Sequence, residues 1–342
     1  MPPRVAIWSA SFAFGMEAIA NEVEILSDHL PESCVWGINP RKKWIYKYRK
    51  RFACDVKYQL IFRLWVKLFQ RKYQVQHLYG SLGDWFHLRA LNQQPAVLTV
   101  ALDLDCSDLT LLEKINHFAV EWPSAIQKLI ALGIPEHKIS LVLPPVDLDK
   151  FKPIAPPRGN FIATFASSPE KIEALDARGV PLMLDAAKLR PCTDFTLVWR
   201  PWGQALTEVQ NQIKSRDLKN VRLHTSKIQN MECVYQDAHV TLACFSDMSQ
   251  CKSMPNSIIE SLACGRPVII THQVELASMV AEANAGIIIQ NDPAQLANAL
   301  ETIQNDWQRY SDNARRLAQT KFCQKRFIQQ YLEIYKNLLI KS

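Results

Sequence analysis

Residues 251–270, Cys251-Lys-Ser-Met-Pro-Asn-Ser-Ile-Ile-Glu-Ser-Leu-Ala-Cys-Gly-Arg-Pro-Val-Ile-Ile270, decide how the rest of the chain is read. They run as a loop, a helix start, about two turns of helix, a glycine stop and a buried strand. Pro255 suits a first helical turn, where a missing N–H costs nothing. Asn256 or Ser257 is placed to cap that turn, and Gly265 can take the left-handed conformation that ends the helix. Pro267–Ile270 opens an apolar run of strand type. A helix that starts in a loop at the C-terminal edge of a sheet presents free amides and a partial positive charge. That is an anion site, and diphosphate is the usual anion there. Lys252 stands at its mouth as a mobile cation. Glu260, four residues after Asn256 and on the same face, is placed to hold a sugar diol. The same residues admit a structural reading: Ser257-Ile-Ile-Glu260 fits the capping box, in which the glutamate only satisfies a backbone donor. Spacing alone leaves both open.

Outward from this stretch, apolar runs alternate with helical periodicity. The expected strands are Arg4–Trp8, Cys34–Ile38, Val75–Tyr79, Ala96–Ala101, Ile115–Val120 and Ile139–Leu143. A second set follows: Phe161–Phe165, Phe195–Trp199, Val221–Leu223, His239–Cys244, Pro267–Ile270 and Gly286–Ile289. Strand–helix alternation predicts an α/β chain with two parallel, doubly wound sheets, ligands lying at the C-terminal strand ends. Five prolines between residues 144 and 157 make a stiff connector. The expected division is therefore 1–152 and 153–323, followed by an amphipathic helix near 324–339. His77, Tyr79, Asp84 and Asp103 fall at or just after strand ends and are candidates for lining a ligand cleft. Gly15, ahead of the first helix, would let a ligand approach the backbone, with Glu17 beside it.

At 342 residues the chain has room for two cores, and 48% hydrophobic with 21% charged residues describes a globular protein. Nine scattered cysteines form no C-x-x-C pair, which argues against a zinc knuckle or redox motif and for a reducing compartment. No signal-like segment opens the chain and no run of about 18 apolar residues occurs, so a cytoplasmic location is expected. The net charge of +7 is unevenly spread. Of the 18 Lys and Arg in residues 1–150, 12 lie in 41–72, where Asp55 is the one acid. In that stretch Arg63, Lys67 and Arg71 recur every fourth residue, with Leu60, Leu64, Trp65 and Leu68 on other faces. This predicts a cationic amphipathic helix suited to an anionic membrane surface. No nucleic-acid motif accompanies it. Asp103-Leu-Asp105 is a D-x-D, a pattern frequent by chance, and no metal is assigned to it.

Residues 251–270 resemble the donor-site segment of retaining glycosyltransferases of family 4, with their E-x7-E motif and C-G-x-P-V turn. Glu260 matches the second glutamate, which in that family holds the nucleotide ribose. Position 252, a lysine here, is where the first glutamate contacts the transferred sugar. Pro144–Pro153 resembles the family's interdomain linker, with Pro145 where glycine is usual. Arg178-Gly-Val-Pro-Leu-Met-Leu is similar to the family's K-G-x-x-x-L segment, which puts Arg178 at the diphosphate. The usual G-R is replaced by Phe165-Ala-Ser-Ser-Pro-Glu-Lys171, and Arg200 is the candidate for the missing cation. Asn220–Ile228 is similar to the nucleobase-side loop, Ser246 falls near the usual P-S, and Phe14-Gly-Met-Glu17 matches the family's G-G-x-E in part.

The resemblance implies a GT-B fold: two Rossmann-like domains facing across a cleft, the C-terminal helix crossing back to the first. It implies a metal-independent, retaining hexosyltransferase with a nucleotide sugar as co-substrate and no other cofactor. Arg178, Arg200 and Lys252 would balance the leaving group. Glu260, Asn256, Ser257, Ser246 and Ile228 would bind the donor, and Gly15, Glu17, His77 and Asp103 would face a glycan or lipid-linked acceptor. A nucleotide-sugar epimerase of the same architecture, or a catalytically weak binding or scaffold partner, are the alternatives, the latter motivated by Lys252.

Overall fold

The computed structural model describes residues 2–9, 18–38, 46–48, 50–55, 59–82, 88–92, 95–106, 108–199, 201, 203–226, 228–248 and 251–341. The strands are β1 Val5–Ser9, β2 Cys34–Ile38, β3 Tyr46–Tyr48, β4 Arg51–Cys54, β5 Val75–Gly80, β6 Ala96–Val100, β7 His117–Val120, β8 Ile139–Leu141, β9 Phe161–Phe165, β10 Thr193–Val198, β11 Val221–His224, β12 Val240–Ala243, β13 Val268–Thr271 and β14 Gly286–Ile289. The helices are α1 Ala18–Asp28, α2 Gln59–Phe69, α3 Ser124–Ala131, α4 Ala174–Ala177, α5 Val180–Leu189, α6 Gln204–Ser215, α7 Met231–Gln236, α8 Asn256–Ala263, α9 Ala277–Glu282, α10 Pro293–Asn305, α11 Trp307–Lys321 and α12 Gln324–Lys341. They form two compact units, residues 1–145 with 324–342, and residues 146–323.

The first unit holds an eight-stranded sheet, order β3-β4-β2-β1-β5-β6-β7-β8. It is parallel except for the antiparallel β3–β4 edge pair. β1, β2 and β6 are buried at every position, as parallel strands covered on both faces must be. One cover is built by α1 and α12: Ile19, Val23 and Leu26 meet Phe327, Ile328, Tyr331, Ile334 and Tyr335 over Val5, Ile7, Val35, Val75 and Val97. The C-terminal helix therefore belongs to the core of the first unit.

The basic stretch 41–72 is not helical throughout. Its described first part forms β3 and β4, and helix begins only at Gln59. Phe52 on β4 stacks on Trp36 of β2 at 6.0 Å between centroids. Arg51 is 8% exposed and spent on Asp28 and Glu24 of α1, at 2.5 and 3.4 Å. One charge of the expected cationic face is thus structural. Among the described residues no helix is long and apolar enough to cross a membrane.

The second unit carries six parallel strands, order β11-β10-β9-β12-β13-β14. Relative to β9 this is 3-2-1-4-5-6, so the winding reverses between β9 and β12. A crevice opens outside the carboxyl ends of the strands at such a reversal, and ligands bind there.

Candidate functional site

The loop after β9 and the loop after β12 flank that reversal. They are bolted together through α4: the Ser246 amide donates to Ala177 O at 3.0 Å, the Asp247 amide to the same oxygen at 3.4 Å, and Ser246 Oγ to Asp176 O at 3.0 Å. Gly179 makes the close approach possible. Its φ is +68°, and a Cβ there would lie 1.9 Å from Cys244 O, so no other residue fits without displacing backbone. Arg178, next to it, is half-buried. Its Nη1 donates to Ser167 Oγ at 2.5 Å, and its guanidinium lies 5.3 Å from the Phe245 ring centroid. With residues 166–171 and Ala174 it lines a polar cavity of about 380 Å³.

α8 enters the same loop system. The sequence pointed to Asn256 or Ser257 as its cap, and the structure corrects this. The cap position is Pro255, in an extended conformation at ψ 123°, and among the described residues no side-chain cap hydrogen bond is made there. Helical bonding starts with the Ile258 amide donating to Pro255 O at 3.1 Å, so the amides of Asn256 and Ser257 precede any i−4 acceptor. Asn256 Oδ1 is buried without a hydrogen-bond partner in the structure. The other end is treated differently. Gly265 takes the left-handed turn at φ +69°, and Arg315 donates from Nη1 to Ala263 O at 2.7 Å and to Phe151 O at 2.8 Å. A cation therefore offsets the negative pole of α8 while its positive pole is left bare. α5 likewise begins after Gly179 with no side-chain cap.

The capping-box reading of Glu260 fails for the same reason: with α8 starting at Asn256, Ser257 is the second helical residue. The Glu260 carboxylate instead accepts from Tyr235 Oη of α7 at 3.2 Å. Burial pushes the carboxyl up to about 7, opposed by the Tyr235 hydrogen bond and the Lys150 charge and reinforced by Glu232. Burial and the neighbouring Glu260 push the Tyr235 phenol well above its ordinary range, so it stays a donor. Lys150 comes from the proline-rich connector and pairs with Glu232 at 3.6 Å. Tyr235, Lys150, Ser167 and Phe245 were not singled out by the sequence, although Lys150 lies inside the quoted connector motif.

Lys252 is half-buried just ahead of α8, and Ile228 is half-buried in the loop after β11. Arg200, Gly15, Glu17 and Asp84 lie outside the described residues. In the first unit Asp103 is exposed after β6 and accepts from Ser81 Oγ at 3.1 Å. His77 is the clear correction. It is fully buried, with Nδ1 2.7 Å from Tyr335 Oη and Nε2 2.7 Å from Thr99 Oγ1. Burial lowers its pKa to about 3. It and the fully buried Tyr79 tie α12 and α1 to the sheet and line no cleft. Among the described residues no three His, Cys, Asp or Glu side chains converge as a metal site.

Two parallel-sheet Rossmann-like domains, one with a bare helix tip at its winding reversal, define the fold of the GT-B glycosyltransferases. Residues 173–306, which carry Arg178, Lys252 and Glu260, match the family model described as glycosyl transferases group 1. The chain is similar to a solved glycosyltransferase from Rickettsia africae at 14% identity and TM-score 0.78, covering 99% of this chain and 100% of that one. It is similar to HepE of Anabaena in complex with UDP at 15% identity and TM-score 0.77, covering 98% and 100%. A third similar structure is WaaG, a glycosyltransferase of lipopolysaccharide biosynthesis, at 13% identity and TM-score 0.68, covering 97% and 99%. Among curated proteins nothing matches.

Proposed function

We propose that this protein is a retaining, metal-independent glycosyltransferase that moves a hexose from a nucleotide diphosphate sugar to the hydroxyl of a glycan or lipid-linked glycan. The observation that carries the reading is the unequal treatment of α8, whose C-terminal carbonyl is held by Arg315 while its N-terminal amides meet no side-chain cap among the described residues. Bare amides at a winding reversal, beside Arg178 and Lys252, suit a diphosphate. The Glu260 carboxylate, one turn further in, suits the two hydroxyls of a ribose. HepE of Anabaena has been solved in complex with UDP and with UDP-glucose, which supports a nucleotide sugar as donor here.

In the proposed reaction the bond between the anomeric carbon and the diphosphate oxygen breaks, and negative charge grows on the diphosphate. Preorganised amides and cations oppose that charge without moving, which is where electrostatic catalysis is most effective. The acceptor oxygen bonds the same face of the anomeric carbon, and its proton passes to a phosphate oxygen of the leaving group. Arg178, Arg200 and Lys252 are assigned to the charge, and Glu260, Asn256, Ser257, Ser246 and Ile228 to the donor. Gly15, Glu17 and Asp103 are assigned to the acceptor. The proposed location is the cytoplasm, at the membrane face.

Incubation with a panel of nucleotide sugars tests this by release of free nucleoside diphosphate. Glu260→Ala should lower kcat/KM about 100-fold, or about 2.7 kcal/mol, and weaken nucleotide binding. Glu260→Gln should retain part of both. Lys252 in the place of the family's glutamate favours one competing outcome: a chain that binds nucleoside diphosphate yet releases none from any donor is a scaffold, not a transferase.

A further inference from the structure

α2 is a sheet-covering helix whose inner stripe is complete: Phe62 is 0% and Val66 1% exposed. Its outer face should then be polar, and it is not. Leu60, Leu64 and Leu68, on three successive turns, are 77%, 51% and 58% exposed. At about 100° per residue, Arg63 and Lys67 lie along one flank of this leucine row, and Ile61, Trp65 and Phe69 along the other. Arg71 and Lys72 extend the cationic flank in the 3-10 turn that follows. None of Arg63, Lys67, Arg71 and Lys72 has an ion pair among the described residues.

On the aromatic flank the apolar surface turns inward. Trp65 and Phe69 line a cavity of about 760 Å³ together with Trp36, Phe52 and Tyr73, and its charged lining is three cations, Arg4, Lys50 and Lys72, against one acid, Glu32. Trp36 stacks against Phe52 and Phe69 at 6.0 and 5.7 Å and meets Tyr73 edge-on at 5.4 Å. Lys72 Nζ lies 5.0 Å from the Phe69 ring centroid. Arg4 precedes β1, Cys34 opens β2 and Tyr73 precedes β5, so the cavity lies at the amino-terminal edge of the parallel strands. Asp103 and Ser81 stand at the opposite edge.

We propose that α2 and this cavity form a docking site for an anionic phospholipid bilayer. The leucine row enters the acyl layer, Arg63, Lys67, Arg71 and Lys72 lie among the phosphates, and one acyl chain occupies the aromatic cavity. Charge decides the occupant. A second copy of the chain would bring two cationic rows together, and a nucleic acid would leave the leucines and the cavity unused. An anionic bilayer alone offers both phosphate and hydrocarbon to adjoining faces of one helix. The site is independent of the donor reading, because no residue of it serves there.

The test is co-sedimentation of the full chain with phosphatidylcholine vesicles, with and without phosphatidylglycerol, together with Trp fluorescence quenching by brominated acyl chains. Binding is expected only with phosphatidylglycerol. The double substitution Leu64→Ser with Leu68→Ser should weaken it at least about tenfold with Tm unchanged, since both side chains are exposed. Lys67→Glu should weaken it about fivefold, and Trp65→Phe should lower the quenching, leaving the share of Trp36, the cavity's other indole. Binding that ignores the leucine substitutions overturns the proposal. So does a dimer in vesicle-free solution that they dissolve, or displacement of the protein from vesicles by RNA without loss of affinity in the leucine variant. Quenching that Trp65→Phe leaves unchanged overturns the cavity's part in it. None of these readouts needs a nucleotide sugar, so failure here and failure of the transferase reading are separate results.

Discussion

His77, on β5, and Glu260, one turn into α8, are both polar residues that the sequence offers to a ligand, yet their surroundings in the fold are opposite. His77 is sealed in the first unit, its two ring nitrogens matched by Tyr335 and Thr99, and burial holds it neutral with a pKa of about 3. Glu260 keeps partial exposure beside an uncapped helix start, with Tyr235 as partner, and its carboxyl titrates near 7. A buried polar group with every partner supplied by the protein has nothing left to offer a ligand. One with spare acceptor capacity next to bare amides does. On the function proposed above, what separates the two residues is unfilled hydrogen-bonding capacity, not position along a strand.

The largest expected effect tests the structural side. His77→Ala removes a fully buried ring and strands the Tyr335 and Thr99 hydroxyls, which should cost about 3 kcal/mol. That corresponds to a fall in Tm of roughly 6–12 °C for a unit of this size. Nucleotide affinity of the protein that remains folded should be unchanged. Loss of affinity without loss of stability would reverse the assignment. The acid limb of stability tests the same burial. The folded pKa of His77 is depressed, so the unfolded chain binds the proton first as pH falls. Its contribution is therefore complete above pH 6.5 and is lost between 6.5 and about 3, by up to about 1.4 kcal/mol per pH unit. Urea melts of wild type and His77→Gln over that window should converge as the pH drops.

The second sheet was the more legible half. Phe161–Phe165 and Gly286–Ile289 were both expected as the structure has them, because buried parallel strands are short apolar runs closed by turn residues. The basic stretch of the first unit misled for an electrostatic reason: Arg51 reads as surface charge until Asp28 and Glu24, more than twenty residues earlier, are seen to bury it. The start of α8 misled in another way. Cap preferences describe helices that satisfy their own amides, and α8 begins one residue earlier than an Asn256 cap would allow and two earlier than a Ser257 cap would, with Pro255 supplying no side-chain cap. Tyr235 and Lys150 could not be read at all. Their roles depend on side-chain contacts across 25 residues for Tyr235 and a longer interval for Lys150, and no periodicity links them to Glu260.

On the functional side, pH should separate the two meanings of the Glu260 carboxyl. Its folded pKa is raised, so its contribution to stability is complete below about 4.5 and lost as pH rises to about 7. Ligand affinity should run the other way, since the ionised form accepts two ribose hydroxyls and the protonated form accepts fewer. Affinity for nucleoside diphosphate should rise as pH approaches 7 and level off above it. Calorimetric titrations expressed as the ratio of wild type to Glu260→Gln cancel the nucleotide's own ionisation. A flat ratio from pH 5 to 8 would detach Glu260 from the ribose.

The smallest effect is also the most discriminating. Tyr235→Phe removes the hydrogen bond that lowers the Glu260 pKa and little else, because the ring stays packed 6.3 Å from Phe151. A hydrogen bond of this kind contributes about 1 kcal/mol, so the Glu260 midpoint should move up by about 0.7 pH unit. The affinity ratio should keep its shape and shift with it, leaving nucleotide binding weaker at pH 7 and restored at pH 8. Gln in place of Glu260 should abolish the shift, because a group that does not titrate has no midpoint to move. If Tyr235→Phe instead left the midpoint in place, the phenol would not be the partner of the carboxylate in solution. Glu260 would then lack the one side-chain hydrogen bond assigned to it, and its contrast with His77, whose two ring nitrogens are both matched, would widen while its pH dependence would need another cause.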